Sequence, residues 1–151
     1  MKILSAIAAI MFLLLAIACT KPSGFDPTAN PDQALDHAVR EAQTSGKKVL
    51  VIAGGDWCNW SRALESLISS DTDIKNALDQ NFVTIKVYFG EKNQNTAFFS
   101  KLTPTNVHPY FWVISKDGDV VKSVDPSSVE DGSNSYNKTK FLQLVLAMKN
   151  D

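Results

Sequence analysis

Val49-Leu50-Val51-Ile52-Ala53, followed directly by Gly54-Gly55-Asp56-Trp57-Cys58-Asn59-Trp60-Ser61, is the stretch on which the fold turns. Five consecutive apolar residues, rich in β-branched side chains, predict a short strand covered on both faces and therefore central in a sheet. Gly54-Gly55-Asp56 ends it. From Asn59 the positions Ala63, Leu64, Leu67 and Ile68 recur at helical spacing, so an amphipathic helix begins just after the cysteine. Cys58 therefore sits where a strand turns into a helix N-terminus, which presents unpaired N–H groups.

Upstream, Asn30-Pro31-Asp32-Gln33 combines an N-cap residue, proline at the first helical position, an early acid and a Gln three residues after the cap. Ala34, Leu35, Ala38, Val39 and Ala42 then make one apolar helical face, and Gly46 is a natural stop. Downstream, a helix capped by Ser70 or Asp71 turns Ile74, Ala77 and Leu78 inward and ends at Asn81. Residues 82–89 read as a strand in which Val83, Ile85, Val87 and Phe89 share a face. Gly90 to Asn95 is a polar loop, and Ala97 to Leu102 a short helix cut off by Thr103-Pro104. Tyr110-Phe111-Trp112-Val113-Ile114, Lys116-Asp117-Gly118-Asp119 and Val120-Val121 together carry the Asp-Gly mark of a β-hairpin, with Trp112 expected in the core. Asp125 to Asn137, rich in Ser, Asp and Asn, is expected to be a solvated loop before a last helix that packs Phe141, Leu142, Val145 and Met148. The order implies an α/β domain: a mixed sheet flanked by helices on both faces, with a parallel pair made by the β-α-β crossover and an antiparallel hairpin at the other end.

The chain has 151 residues, with 15 basic against 16 acidic side chains and no basic block, so it lacks the electrostatic footprint of a nucleic-acid binder. Ile3 to Ala18, interrupted only by Ser5 and preceded by Lys2, is too short to span a bilayer and reads as an export signal over residues 1–18. Residues 19–30, with Pro22, Ser23, Gly24 and Pro27, have linker composition and are expected to be a tether, which leaves 31–151 as the domain. Leu15-Ala16-Ile17-Ala18-Cys19 resembles the lipobox of bacterial lipoproteins. That resemblance implies lipidation of Cys19, a membrane contact through the lipid, and a place in the bacterial cell envelope facing the periplasm. Thr20 rather than Asp after the cysteine points, within that family, to the outer rather than the inner membrane. Ala16 stands where the family usually has Leu, so an ordinary signal-peptidase cut and a retained anchor stay open as alternatives.

Trp57-Cys58-Asn59-Trp60-Ser61 at the turn, with Val107-His108-Pro109-Tyr110 opening the hairpin strands, resembles the thioredoxin superfamily over residues 31–149. The resemblance implies a thioredoxin-like three-layer sandwich and a cis proline at Pro109 packed against Cys58. The run Lys47-Lys48-Val49-Leu50-Val51 ahead of Asp56-Trp57-Cys58 looks like an exported thioredoxin-like branch whose members often carry a lipoprotein signal. Two departures stand out. Ser61 occupies the place of the resolving cysteine, giving C-x-x-S, and Ile52 stands where thioredoxin has a buried acid that assists proton transfer.

An ordinary thiol, with a pKa of about 8.5, is only about 3% thiolate at pH 7, and a helix N-terminus favours the anion. Cys58 is therefore the expected nucleophile, with Ser61 as a hydroxyl donor to the sulfur, His108 as an imidazolium partner and Pro109 shaping the groove. Each has a bland reading: an inert small residue, a first-turn serine, a histidine facing solvent or a backbone carbonyl. Trp57, Trp60 and Tyr110 are expected to form an apolar surface for protein clients. Without a second thiol in reach, Cys58 can attack a disulfide but cannot resolve the mixed disulfide within the chain, which favours monothiol exchange or isomerisation on clients carrying thiols or disulfides. The reading from another class is a redox-inactive binding or assembly module that uses the same aromatic surface. No cofactor is expected. Cys58 and His108 give just two visible metal ligands, so no metal is expected either.

Overall fold

The computed structural model describes residues 24–150, so the export signal and Cys19 lie outside the described residues. Helix α1 spans Pro31–Ser45; the Asn30 side chain accepts from the Asp32 and Gln33 N–H groups, and Gly46, at φ +69°, closes it. Strand β1 (Lys48–Gly54) leads through a tight turn into α2 (Asn59–Ser70). Asp71 caps α3 (Thr72–Asn81) by accepting from Asp73 and Ile74, and β2 (Phe82–Tyr88) follows directly. A single turn α4 (Thr96–Phe99), the hairpin β3 (Tyr110–Ile114) and β4 (Val120–Val124), and α5 (Lys138–Lys149) complete the order.

The sheet runs β2-β1-β3-β4. β1 lies parallel to β2 and antiparallel to β3, and β3 is antiparallel to β4. This is the mixed sheet with a crossover pair and a terminal hairpin that the periodicities predict. Gly118, at φ +93°, makes the hairpin turn possible, with its N–H on the Ser115 carbonyl. Alternation along β1 divides the core in two. Leu50 and Ile52, with Phe111 and Val113 of β3, face Leu64 of α2, Ile74 and Leu78 of α3, and Phe141, Val145 and Met148 of α5. Val49, Val51 and Ala53, with Trp112 and Ile114, face Ala38 and Ala42 of α1 and the ring of Phe98.

Three expectations need correction. The tether reading fails for residues 24–30, because Phe25 is only 3% exposed and lies in the α2-side core, while the Pro27 carbonyl accepts from the Asn93 side chain. The loop from Asp125 to Asn137 is not simply solvated. Its first residues form a 3₁₀ turn (Pro126–Val129) capped by Asp125, Glu130 and Tyr136 bridge, and Val129 and Tyr136 are buried. The short helix after Asn95 ends at Phe99, and Ser100 to Leu102 continue only as tight turns, with Leu102 N–H on the Phe99 carbonyl.

Phe25 gives a direct check on where the domain begins. Removing a buried phenyl ring costs about 3 kcal/mol or more, so Phe25→Ala lowers the urea-unfolding free energy by about that much. A tether residue would change it by less than about 0.5 kcal/mol.

Candidate active site

The central strand carries the cysteine to the edge of the core and stops it there. β1 ends at Gly54, whose carbonyl accepts from the Phe89 N–H at 2.8 Å. The Cys58 N–H folds back onto the Gly55 carbonyl at 3.0 Å, and the Cys58 carbonyl accepts from Arg62 at 3.1 Å, which makes Cys58 the N-cap of α2. The Arg62 guanidinium ties the same turn by donating to the Asp56 carbonyl and the Asn59 side chain. No side chain caps α2, so its first-turn N–H groups stay available to a charge at the sulfur.

Sheet register brings the second half of the site. Ala53 of β1 pairs with Tyr110 of β3, so the residues just before Tyr110 must pass the end of β1. There the His108-Pro109 bond is cis, and Pro109 is buried. The Cys58 thiol, half-buried, donates to the His108 carbonyl at 3.4 Å. The pairing of Cys58 with the proline segment that the resemblance implies is therefore present in the geometry.

The imidazolium role expected of His108 is not supported. Its ring stacks on Phe89 at 4.5 Å, nearly parallel, and meets Trp57 edge-on at 6.0 Å, while the sulfur is met by its backbone. Burial lowers the His108 pKa below the ordinary 6.5, so the neutral ring is favoured at pH 7. Ser61 also differs from expectation. It is fully buried, and its hydroxyl oxygen accepts from the Gly55 N–H at 3.4 Å, so it braces the turn carrying Cys58.

The three aromatic residues do not form one surface. Trp57 is 53% exposed; its indole lies across Gly55 and Gly90, where a Cβ would collide with it, and its N–H donates to the Phe89 carbonyl at 2.6 Å. Trp60 packs on the α2-side core, edge-on to Tyr136 at 5.4 Å. Tyr110 packs on the other side of the sheet, 4.8 Å from Trp112. Trp57 alone offers a broad exposed aromatic face beside the thiol.

Several site residues were not visible in the sequence reading. Tyr136 donates to the Trp60 carbonyl at 3.4 Å, and burial, then the charges of Glu130, Cys58 and Asp125, push its phenol pKa well up, so it stays a protonated donor. Phe89 supplies the platform under His108, and Phe25 closes over Gly54 and Ser61. Among the described residues no three His, Cys, Asp or Glu side chains gather where they could hold a metal ion.

A three-layer sandwich with a mixed sheet, a cysteine capping the helix after the central strand, and a cis proline facing that cysteine define a thioredoxin-fold protein. The chain belongs to the thioredoxin-like family, whose profile matches residues 30–109. Among solved structures, a disulphide isomerase from Xylella fastidiosa Temecula1 is similar with a TM-score of 0.73 and 16% identity, covering 87% of this chain and 98% of that one. A thioredoxin from Thermus thermophilus is similar with a TM-score of 0.51 and 21% identity, over 74% of this chain and 81% of that one. At such identities the likeness concerns the fold. No curated protein matches the chain.

The half-buried His108 makes stability depend on pH with a definite sign. Because its folded-state pKa lies below the unfolded value of 6.5, the unfolded chain binds more protons as pH drops, and this group's contribution is lost as pH falls from 6.5 through the folded value. In an NMR titration the His108 ring protons should show a midpoint below 6.5. A midpoint at 6.5 would mean that the ring faces solvent, and one above it that the ring faces a carboxylate.

Proposed function

We propose that the chain is an envelope thioredoxin-like protein, anchored through lipid on Cys19, that performs monothiol thiol-disulfide exchange or isomerisation on protein clients through Cys58. The observation that carries the reading is the placing of one half-buried cysteine at a helix N-terminus with no side-chain cap, its sulfur 3.4 Å from the carbonyl that precedes Pro109.

The chemistry follows from what surrounds that sulfur. The Cys58 thiolate attacks one sulfur of a client disulfide; a bond forms from Cys58 to that sulfur as the client S–S bond breaks, and the second client sulfur leaves as a thiolate that takes a proton from water. The N–H groups at the start of α2 face the sulfur both when it attacks as a thiolate and when it leaves as one from the mixed disulfide. Ser61 is no thiol and cannot return the electrons, so the mixed disulfide lasts until a thiol from elsewhere attacks it. A second thiol of the same client, attacking the client sulfur, forms a new client disulfide and releases the Cys58 thiolate, which completes an isomerisation; a separate thiol attacking the Cys58 sulfur releases the client thiol, and a second such thiol then frees Cys58 as the two small thiols leave joined as a disulfide, which completes a reduction. Trp57 lies open beside the sulfur and provides apolar contact for an unfolded or loop segment of the client. Tyr136 donates to the Trp60 carbonyl, two residues after Cys58, and bridges to Glu130, whose carboxyl pKa is raised by burial and by Asp125.

A second reading rests on the thiol's own hydrogen bond. As a donor to the His108 carbonyl, Cys58 is held as a neutral packing group, which suits a binding module that recognises partners through Trp57.

Capture from cells separates the two. After acid quenching and alkylation, the wild-type chain should carry proteins released by dithiothreitol, and Cys58→Ala should carry none. Equal partner recovery by Cys58→Ala, resistant to dithiothreitol, would favour the binding module. In the same cells Cys19→Ser should move the chain from the membrane to the soluble fraction. Unchanged membrane association would remove the lipid anchor from the account.

A further inference from the structure

Beneath the turn that carries Cys58, two buried polar groups are incompletely matched. Glu65, on α2, pairs through Oε2 with Lys86 of β2 at 2.5 Å, an ion pair whose side chains are both less than one quarter exposed. Lys86 stands in register beside Ile52, which has no polar group to offer it, so the helix supplies the counter-charge. The other oxygen, Oε1, is buried and has no hydrogen-bond partner among the described residues. A buried carboxylate oxygen without a donor is costly, and such atoms are few in native proteins.

The second group is Ser61. It lies one helical turn before Glu65, on the same face of α2. Its oxygen already accepts from the Gly55 N–H, so its own proton needs an acceptor inside the protein. Both groups line one cleft of about 200 Å³, with Phe25, Gly55, Asp56 and Arg62 around it. The cleft is roomy enough for a bridging water. Arg62 is engaged with the Asp56 carbonyl and Asn59, which leaves Glu65 as the carboxylate with an open position.

We propose that Glu65 is a positioning residue for Cys58. Its Oε1 accepts the hydrogen bond of the Ser61 hydroxyl through one water in the cleft. That fixes the Ser61 oxygen as the acceptor for the Gly55 N–H and so holds the turn that presents the sulfur. The inference rests on the exchange reading only for its functional consequence. Ser61 is then a brace whose direction is set from behind by Glu65 and Lys86.

The test uses the full chain and two readouts. One is the rate at which Cys58 attacks 5,5′-dithiobis(2-nitrobenzoate), with the Cys58 sulfur replacing one thionitrobenzoate, released as a coloured thiolate, and the thiol proton going to buffer. The other is hydrogen exchange of the Gly55 amide against that of Val51 in the central strand. Ser61→Ala and Glu65→Gln should each speed Gly55 exchange and slow the Cys58 reaction about fivefold, the size of one ordinary hydrogen bond. Combined, they should have no more effect than either alone, and Val51 exchange should not change. Glu65→Gln keeps the volume but turns an amide N–H₂ into the cleft once its oxygen faces Lys86. If that variant does not fold, Glu65→Met with Lys86→Met removes the pair without stranding a charge and should give the same Gly55 result.

Additive effects, or a Gly55 amide untouched by loss of Glu65, would overturn the proposal. Equal acceleration at Gly55 and Val51 would reduce Glu65 to a general stabilising residue and overturn it as well. If the wild-type sulfur does not react with the reagent at all, the exchange reading fails, and Gly55 exchange still decides the role of Glu65.

Discussion

The pairing of Ala53 with Tyr110 is the constraint on which the rest of the site depends. It joins the last turn of the buried central strand to the first residue of the hairpin, and so forces residues 107–109 past the end of β1. Cys58, four residues beyond Gly54, meets that segment because the turn between them is short and tied by the Cys58 N–H to the Gly55 carbonyl. A one-residue slip in the β1-β3 register would exchange the two core faces and put Trp112 among the α2-side residues. The burial of Val49 to Ala53 and of Phe111 to Ile114 on both faces makes such a slip costly. Sulfur geometry is thus a consequence of core packing.

Around the sulfur, small residues and braces matter more than charged catalytic partners. Gly54 leaves room for Ser61 and Phe25, and Gly55 and Gly90 leave room for the Trp57 indole. His108 contributes its carbonyl to the thiol and its ring to an aromatic stack with Phe89 and Trp57. A neutral imidazole packed between rings is a structural group, and the burial that lowers its pKa is the same burial that keeps the site compact. In the proposed exchange, what remains to act on a client is the helix end, the open face of Trp57 and the sulfur itself.

Much of this was legible in the sequence because it is encoded locally. The apolar run into Gly54-Gly55, the helical spacing after Asn59, the Asn30 cap and the Asp117-Gly118 turn each report on a few neighbouring residues, and each is where the reading put it. The misses are long-range. Phe25 is a lone aromatic in a polar stretch, and only the open space above Gly54 gives it a place to bury. Tyr136 is hidden in the same way within a Ser- and Asp-rich loop, until Trp60 and Phe141 receive it. Tyr110 could have been separated from Trp60 by alternation alone, since it shares a sheet face with Trp112. Lys86 carried a signal too. On its face of β2 it lies between the positions of Phe82 and Tyr88, both buried, so a charge there calls for a partner from the covering helix.

The central claim is that one reachable sulfur exchanges with disulfides and has no second thiol among the described residues to release it. Intact-mass spectrometry of the reduced chain mixed with glutathione disulfide tests this most directly. The account predicts one glutathione added at Cys58, stable for as long as no free thiol is present and lost when one is supplied. No adduct at Cys58, or an adduct that disappears without added thiol, would contradict it.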